Sequence, residues 1–151
     1  MRAMTAEETG AVISRCKWAT ICTVSEDGEP YAIEATPFVM DGRHCFMINP
    51  RGGTWKNLRR NNRVLLKYTL ASPALDFWAG VSCRGAGEFV LDGAALREGW
   101  RLLGEVMGAD YSEAARRFER CTDRTPLFCV TVEETTGRCS APKDAPLDLP
   151  A

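Results

Sequence analysis

Alternating apolar and polar residues divide the first third of the chain into short β-strands. The runs "WATICTVS" from Trp18 and "PYAIEATPFVM" from Pro30 flank an Asp-Gly pair, and a second Asp-Gly pair at 41–42 precedes "RHCFMIN". Asp-Gly between such runs is typical of a tight hairpin turn. The pattern therefore predicts three strands joined by two turns, an antiparallel meander.

Three later runs have the same strand character. They are "RVLLKYTL", "LDFWAGVSCRGAGEFVL" and "PLFCVTVEE", and the glycines of "RGAG" indicate a bulge or bend in the second. The total is about six strands. A parallel α/β fold does not fit, because the first three strands have no crossover helices between them. We predict a mainly β fold with flanking helices, arranged as a small antiparallel barrel.

Four segments are predicted to be helical. Thr5 and Glu8 form a capping-box pattern at the start of "TAEETGAVISRC". Thr54 is the predicted N-cap of a short helix that runs to about Asn62. Asp92 caps a third helix with leucines at helical spacing, and "SEAARRFERC" forms a fourth.

Length and composition indicate one domain in an ordinary globular protein. The chain has 151 residues, of which 45% are hydrophobic and 26% charged. No apolar run approaches the roughly 18–20 residues that span a bilayer, and the first residues lack the apolar segment of a signal peptide. We expect a cytoplasmic protein that does not bind membranes, with a domain over residues 1–138. The proline-containing tail, 139–151, is expected to be extended or disordered.

The seven cysteines predict neither a disulfide framework nor a metal site. Their number is odd, and no two of them form a C-x-x-C pair. A free thiol inside an apolar strand behaves as a small hydrophobe, which fits four of them: Cys22, Cys45, Cys83 and Cys129. We expect all seven to be reduced and no metal to be bound. The single histidine, His44, also disfavours a histidine-based hydrolase or a histidine-rich zinc site.

The stretch "RGGTWKNLRRNNRV", from Arg51 to Val64, has five cationic side chains and no acidic one. A solvated helix face is one explanation, since helical spacing places Lys56, Arg59, Arg60 and Arg63 on one side. A nucleic-acid surface is a second, although a sequence pI of about 5.9 argues against it and DNA binding is expected to be absent or weak.

A phosphate site is the third explanation for the basic stretch. Gly52 and Gly53 allow backbone amides to approach an anion, and the start of a helix is positively polarised. Thr54 would add a hydroxyl, with Arg51 and Lys56 as flanking charges. The P-loop pattern is missing. The residues alone leave the three explanations open.

From Trp18 to Arg138 the chain resembles the pyridoxamine 5′-phosphate oxidase-like FMN-binding split barrels. The similarity rests on the Asp-Gly turn and "PY" strand, on "WKNLRRNNRV", and on the later "VSCRGAGEFVLD" and "FCVTVEETTGR". It implies a six-stranded antiparallel Greek-key split barrel with flanking helices. It also implies a homodimer with FMN at the subunit interface.

The resemblance further implies the residues that contact FMN. The phosphate side would be Arg51, Thr54, Trp55 and Lys56. The side of the isoalloxazine ring would be Thr36, Pro37, Phe38, Ile48 and Asn49. The partner subunit would contribute Ser82 and Arg84 from its later strand.

The implied activity is that of an FMN-dependent oxidoreductase that transfers hydride through the flavin to or from a small organic substrate. The nitroimidazole-reductase-like branch has Phe-His in the third strand and a lysine before Asn-Leu, where this chain has Met47 and Thr54, so that substrate is not predicted. No catalytic residue is predicted, and His44 is expected at the surface. A non-catalytic flavin-binding protein for sensing, storage or electron transfer is the alternative, as is a split barrel that binds haem or a deazaflavin.

Overall fold

The strands of this protein form one antiparallel sheet that curls into a half-barrel. The computed structural model describes residues 1–119 and 124–149. The eight strands of this region are β1 (Arg2–Ala3), β2 (Ala19–Val24), β3 (Pro30–Ala35), β4 (Phe38–Met40), β5 (Arg43–Met47), β6 (Arg63–Ala71), β7 (Trp78–Phe89) and β8 (Leu127–Cys139). Their order is β3-β2-β6-β7-β8-β5-β4, and β1 pairs with β8. The predicted fold class is confirmed, with eight strands instead of six.

The second predicted strand is in fact two strands that lie at opposite ends of the sheet. β3 ends at Ala35 and pairs with β2, whereas β4 begins at Phe38 and pairs with β5. Pro37 lies at the break, and proline lacks the backbone N–H that a central strand donates. The predicted three-stranded meander is therefore wrong, because β3 and β5 are not neighbours.

Four helices flank the sheet. They are α1 (Ala6–Arg15), α2 (Gly53–Arg60), α3 (Gly93–Met107) and α4 (Ser112–Phe118). The capping box of Thr5 and Glu8 is present, and the Asp92 carboxylate accepts a hydrogen bond from the backbone N–H of Ala95 at 2.7 Å. The predicted caps at Thr5 and Asp92 are confirmed. None of the described helices has the length and apolarity to cross a membrane.

Strand β5 and the start of β8, residues 127–130, are covered on both faces. Phe46 and Val130 face the interior of the barrel, where they join the main apolar core. Cys45 and Cys129 face the other way and pack beneath α3, beside Leu103. The helix α3 thus covers the outer face of this part of the sheet, which is why residues 127–130 are all buried, whereas most of the remaining residues of β8 are exposed.

The expectation that all cysteines are reduced is wrong for one pair. Cys45 and Cys129 are directly opposite each other on β5 and β8, with their Cα atoms 4.1 Å apart, and they form a disulfide. The pairing brings together residues 84 positions apart, which spacing alone does not reveal. The described free cysteines are Cys16, Cys22, Cys83 and Cys139; Cys121 lies outside the described residues.

The segment that follows β8 has no helix or strand up to residue 149 and lies against the barrel. Arg2 donates hydrogen bonds to the backbone oxygens of Pro142 at 3.2 Å and Ala145 at 2.9 Å. Leu147 and Leu149 pack against the main core. Side-chain contacts therefore hold this segment in place.

Candidate cofactor site

The first turn of α2 has no side-chain cap. Its N-cap is Gly52, in an extended conformation with φ −82° and ψ 166°, and no side chain accepts a hydrogen bond from the helix start. The prediction that Thr54 is the N-cap is wrong, because Thr54 is inside the helix and only 3% exposed. The first N–H groups of a helix have no partner within it and attract anions.

The loop that precedes α2 is fixed by Asn49. Its side-chain oxygen accepts from the backbone N–H of Arg51, and its backbone oxygen accepts from the N–H of Gly52, both at 3.0 Å. A side chain at Gly53 would crowd the ring of Tyr31, whose nearest atom is 3.3 Å from the position of a Cβ. Asn49 therefore shapes the loop, and Tyr31 borders the start of the helix.

Two cations beside this helix start are uncompensated. In the region that the structure describes, neither the exposed Arg51 nor the exposed Lys56 has an ion-pair partner. Arg60, by contrast, pairs with Glu26 at 2.6 Å. The predicted four-cation face is wrong because the helix ends at Arg60, and Arg63 belongs to β6, where it pairs with Glu133 at 2.7 Å. Arg59, near the other end of the helix, lies with its guanidinium over the Trp55 ring at 4.9 Å from the centroid. Within the described chain, Arg51 and Lys56 are therefore the unpaired cations beside the helix start.

The underside of α2 is anchored to the barrel. The side-chain amide of Asn57 donates to the Thr23 hydroxyl at 3.1 Å, and the indole N–H of Trp55 donates to the backbone oxygen of Thr125 at 3.4 Å. The Trp55 ring also packs against Phe89, with 5.6 Å between centroids. These contacts hold the helix start in one position. The Trp55 side chain anchors the helix to the barrel.

A groove of about 200 Å³ collects part of the predicted ring side. Thr36, Ile48 and Asn49 line it, together with Met107 and Tyr111. The Thr36 hydroxyl donates to the Met107 sulfur at 3.3 Å, which ties the last turn of α3 to the groove. The sequence alone did not indicate Met107 and Tyr111 at the groove, or Tyr31 at the start of α2, because only the folded chain brings them there.

Other predicted residues lie elsewhere in the same chain. Pro37 and Phe38 line a different cavity, and Phe38 is 3% exposed beneath α3. Ser82 accepts a hydrogen bond from Lys67 at 3.0 Å, and Arg84 pairs with Glu134 at 3.1 Å, on the outer face of the sheet. Neither Ser82 nor Arg84 lines the groove, so only a second chain would bring them to it.

His44 is not the surface residue that the sequence suggested. Burial lowers the pKa of its imidazole, and Nδ1 is 2.6 Å from the hydroxyl oxygen of the fully buried Tyr68. Among the described residues, no cluster of three or more His, Cys, Asp or Glu side chains is placed to hold a metal ion.

The comparisons with known proteins agree with the observed fold. The sequence model of the pyridoxamine 5′-phosphate oxidase family matches residues 5–139. A structure from Bacteroides thetaiotaomicron, named for 5-nitroimidazole antibiotic resistance, is 19% identical with a TM-score of 0.73, covering 91% of this chain and 86% of its own. Among curated proteins, none matches the chain significantly.

Two further structures differ in the ligand for which they are named. A FAD-binding protein from Mesorhizobium loti is 20% identical with a TM-score of 0.65, covering 91% of this chain and 95% of its own. A haem storage protein from Vibrio cholerae is 17% identical with a TM-score of 0.63, covering 85% of this chain and 90% of its own. At these identities the likeness shows the fold alone.

Proposed function

Since the chain belongs to the pyridoxamine 5′-phosphate oxidase family, we propose that it binds FMN at the groove beside α2 and acts as an FMN-dependent oxidoreductase on a small organic substrate. The observation that carries the proposal is the uncapped start of α2 next to Arg51 and Lys56. Unpaired N–H groups, a helix dipole and two uncompensated cations together suit a phosphate.

The groove and the start of α2, which Asn49 connects, would divide the work of binding. The backbone of Gly53 and Thr54 presents N–H groups to the phosphate, and Lys56 neutralises its charge. Ile48 and Thr36 form one wall for an apolar ring. Bound flavin supplies the hydride chemistry itself. The protein's contribution is to hold the ring against this wall and to limit its contact with water.

We further propose that the site is completed by a second copy of the chain. The groove of about 200 Å³ is smaller than the roughly 300–1,000 Å³ of most ligand pockets, so a single chain leaves most of an FMN uncovered. The outer face of β2, β6 and β7 has partly exposed side chains, including Leu65 and Ser82, and Trp18 beside it is 59% exposed. A homodimer packed through this face would bring Ser82 and Arg84 of the partner toward the groove.

Flavin suits this site better than haem. A haem iron needs an axial ligand such as histidine or tyrosine. The only histidine lines a different cavity and already bonds Tyr68 through Nδ1, whereas the groove does offer Tyr111. The preference for flavin therefore rests on the phosphate site. The features beside the groove are those of a phosphate site. A flavin-binding protein without a dedicated substrate uses the same contacts, so binding and turnover have to be tested separately.

The visible absorption spectrum of the purified protein tests the cofactor. We expect the two-banded spectrum of oxidised flavin, or its appearance after reconstitution with FMN, with release of FMN on denaturation. A Soret band or a deazaflavin spectrum would refute the FMN assignment. Steady-state turnover of a reduced nicotinamide with a small organic acceptor then supports the enzyme, whereas bound flavin that no donor reduces supports the non-catalytic alternative.

A further inference from the structure

A larger cavity, of about 850 Å³, lies between the end of α1, β4, β6 and the last turn of α3. Its buried surface includes Cys16, Phe38 and Tyr68, which are 7%, 3% and 0% exposed. We name it the His44 cavity, because His44 is the titratable group beside Tyr68. Charged side chains line it only where they are exposed, at its rim: Arg15, Lys17 and Glu105.

The cavity is separate from the groove proposed for FMN. Thr36 lines the groove, whereas the next residue, Pro37, lines the cavity. In α3, Met107 lines the groove and Val106 the cavity. The hydrogen bond from the Thr36 hydroxyl to the Met107 sulfur, at 3.3 Å, joins the two elements of this wall. An occupant of the His44 cavity would therefore be distinct from a cofactor in the groove.

Hydrogen bonding fixes the tautomer of His44. Burial raises the pKa of Tyr68 and lowers that of His44, so both groups are neutral near pH 7. Nδ1 of His44 is the sole acceptor that the described residues offer to the Tyr68 hydroxyl, at 2.6 Å. A buried hydroxyl without an acceptor is costly. Tyr68 therefore donates to Nδ1, and the proton of the imidazole is on Nε2.

Nε2–H is then a neutral donor without a protein partner in the described part of the chain. It lies in a cavity whose other walls include the apolar side chains of Ile13, Leu70 and Val106. A hydrocarbon in this space would leave the donor unpaired. A carboxylate would lose its hydration on entering the cavity, and the neutral Nε2–H of His44 has no positive charge to compensate for that loss. The best match is an uncharged oxygen acceptor.

We propose that the His44 cavity binds an uncharged, largely apolar carbonyl compound, such as an aryl ketone, whose oxygen accepts a hydrogen bond from Nε2–H of His44. The volume is within the range of sites for drug-sized ligands. The rim carries two cationic side chains and one acidic one, all exposed to water, which screens their charge at the entrance. The proposal does not depend on flavin binding, because no residue that lines the groove or forms the α2 start lines this cavity.

Three probes of matched size test the proposal by titration calorimetry: 2-acetonaphthone, 2-isopropylnaphthalene and 2-naphthoate. Saturating FMN is present in all titrations to keep the groove filled. We expect the ketone to bind about three- to tenfold more tightly than the hydrocarbon, as one neutral hydrogen bond allows. In His44→Phe the preference should disappear while the hydrocarbon still binds. In Lys17→Ala, a rim control, the preference should persist.

The thiol of Cys16 reports occupancy directly. It is free and lies in the cavity, whereas Cys22 is free and lies outside it. Bound ketone should slow alkylation of Cys16 by N-ethylmaleimide and leave Cys22 unchanged, and this measurement needs neither FMN nor a variant. If no probe protects Cys16, if naphthoate binds best, or if the ketone preference survives in His44→Phe, the proposal is wrong. Failure of FMN binding alone would leave it standing.

Discussion

Replacing Lys56 with alanine is the most direct test of the phosphate site. Lys56 is exposed in the first turn of α2, and no described acid pairs with it. Its removal therefore breaks no ion pair in the folded protein, and alanine favours the helix. The variant should therefore lose affinity only for a ligand that carries the phosphate. We expect weaker binding of FMN with little change in the free energy of unfolding.

The size of this loss follows from the contact that Lys56 would make. A hydrogen bond to a charged group typically contributes about 1.5–3 kcal/mol, which is roughly a tenfold to hundredfold change in affinity. Because the Lys56 side chain is exposed and screened by water and salt, the lower end of this range applies. Thr54→Ala should cost less, since the backbone N–H of residue 54 remains available.

Quenching of flavin fluorescence measures the affinities, with riboflavin as the ligand control. Riboflavin lacks the phosphate and should bind the parent and Lys56→Ala about equally. Arg60→Ala is the matched protein control, because Arg60 also lies in α2 but pairs with Glu26 at 2.6 Å. If Lys56→Ala and Thr54→Ala both keep the parental affinity for FMN, the phosphate site is wrong and the basic stretch is a solvated helix face.

Three further predictions concern the whole protein. Light scattering at micromolar concentration should give the mass of a homodimer; a monomer with FMN still bound would contradict the shared site. Under denaturing, non-reducing conditions Cys45 and Cys129 should escape alkylation until a reductant is added; labelling of both beforehand would refute the disulfide. Stability should fall as the pH drops below about 6.5, because unfolded His44 gains a proton that burial disfavours. Between about pH 7.5 and 5.5, the urea midpoint of unfolding should change less with pH in His44→Gln than in the parent.

Features that depend on a few neighbouring residues could be predicted from the sequence. The Asp-Gly turns place Gly28 and Gly42 at φ 82° and 71°, where glycine is favoured. The bulge expected from "RGAG" is present as a register shift between Arg84 and Gly85. In each case the local sequence contains all the chemistry that decides the structure.

Features that depend on which strands become neighbours could not be predicted in the same way. The run from Pro30 to Met40 alternates as one strand, yet it divides because its two halves pair with β2 and with β5. The N-cap of α2 is Gly52 and not the predicted Thr54 for a similar reason. Thr54 has the intrinsic preference for a cap, but the structure buries it in the first turn, so tertiary packing overrides that preference.

The register of β5 against β8 decides two features that the sequence analysis judged wrongly. Cys45 lies opposite Cys129 beneath α3, and His44, one residue earlier, faces the other way toward Tyr68. A shift of one residue would turn each side chain to the opposite face, separating the cysteines and removing His44 from Tyr68 together. The disulfide and the lowered pKa of His44 therefore both depend on the same strand register. A substitution that loosens this strand pair should lose both at once.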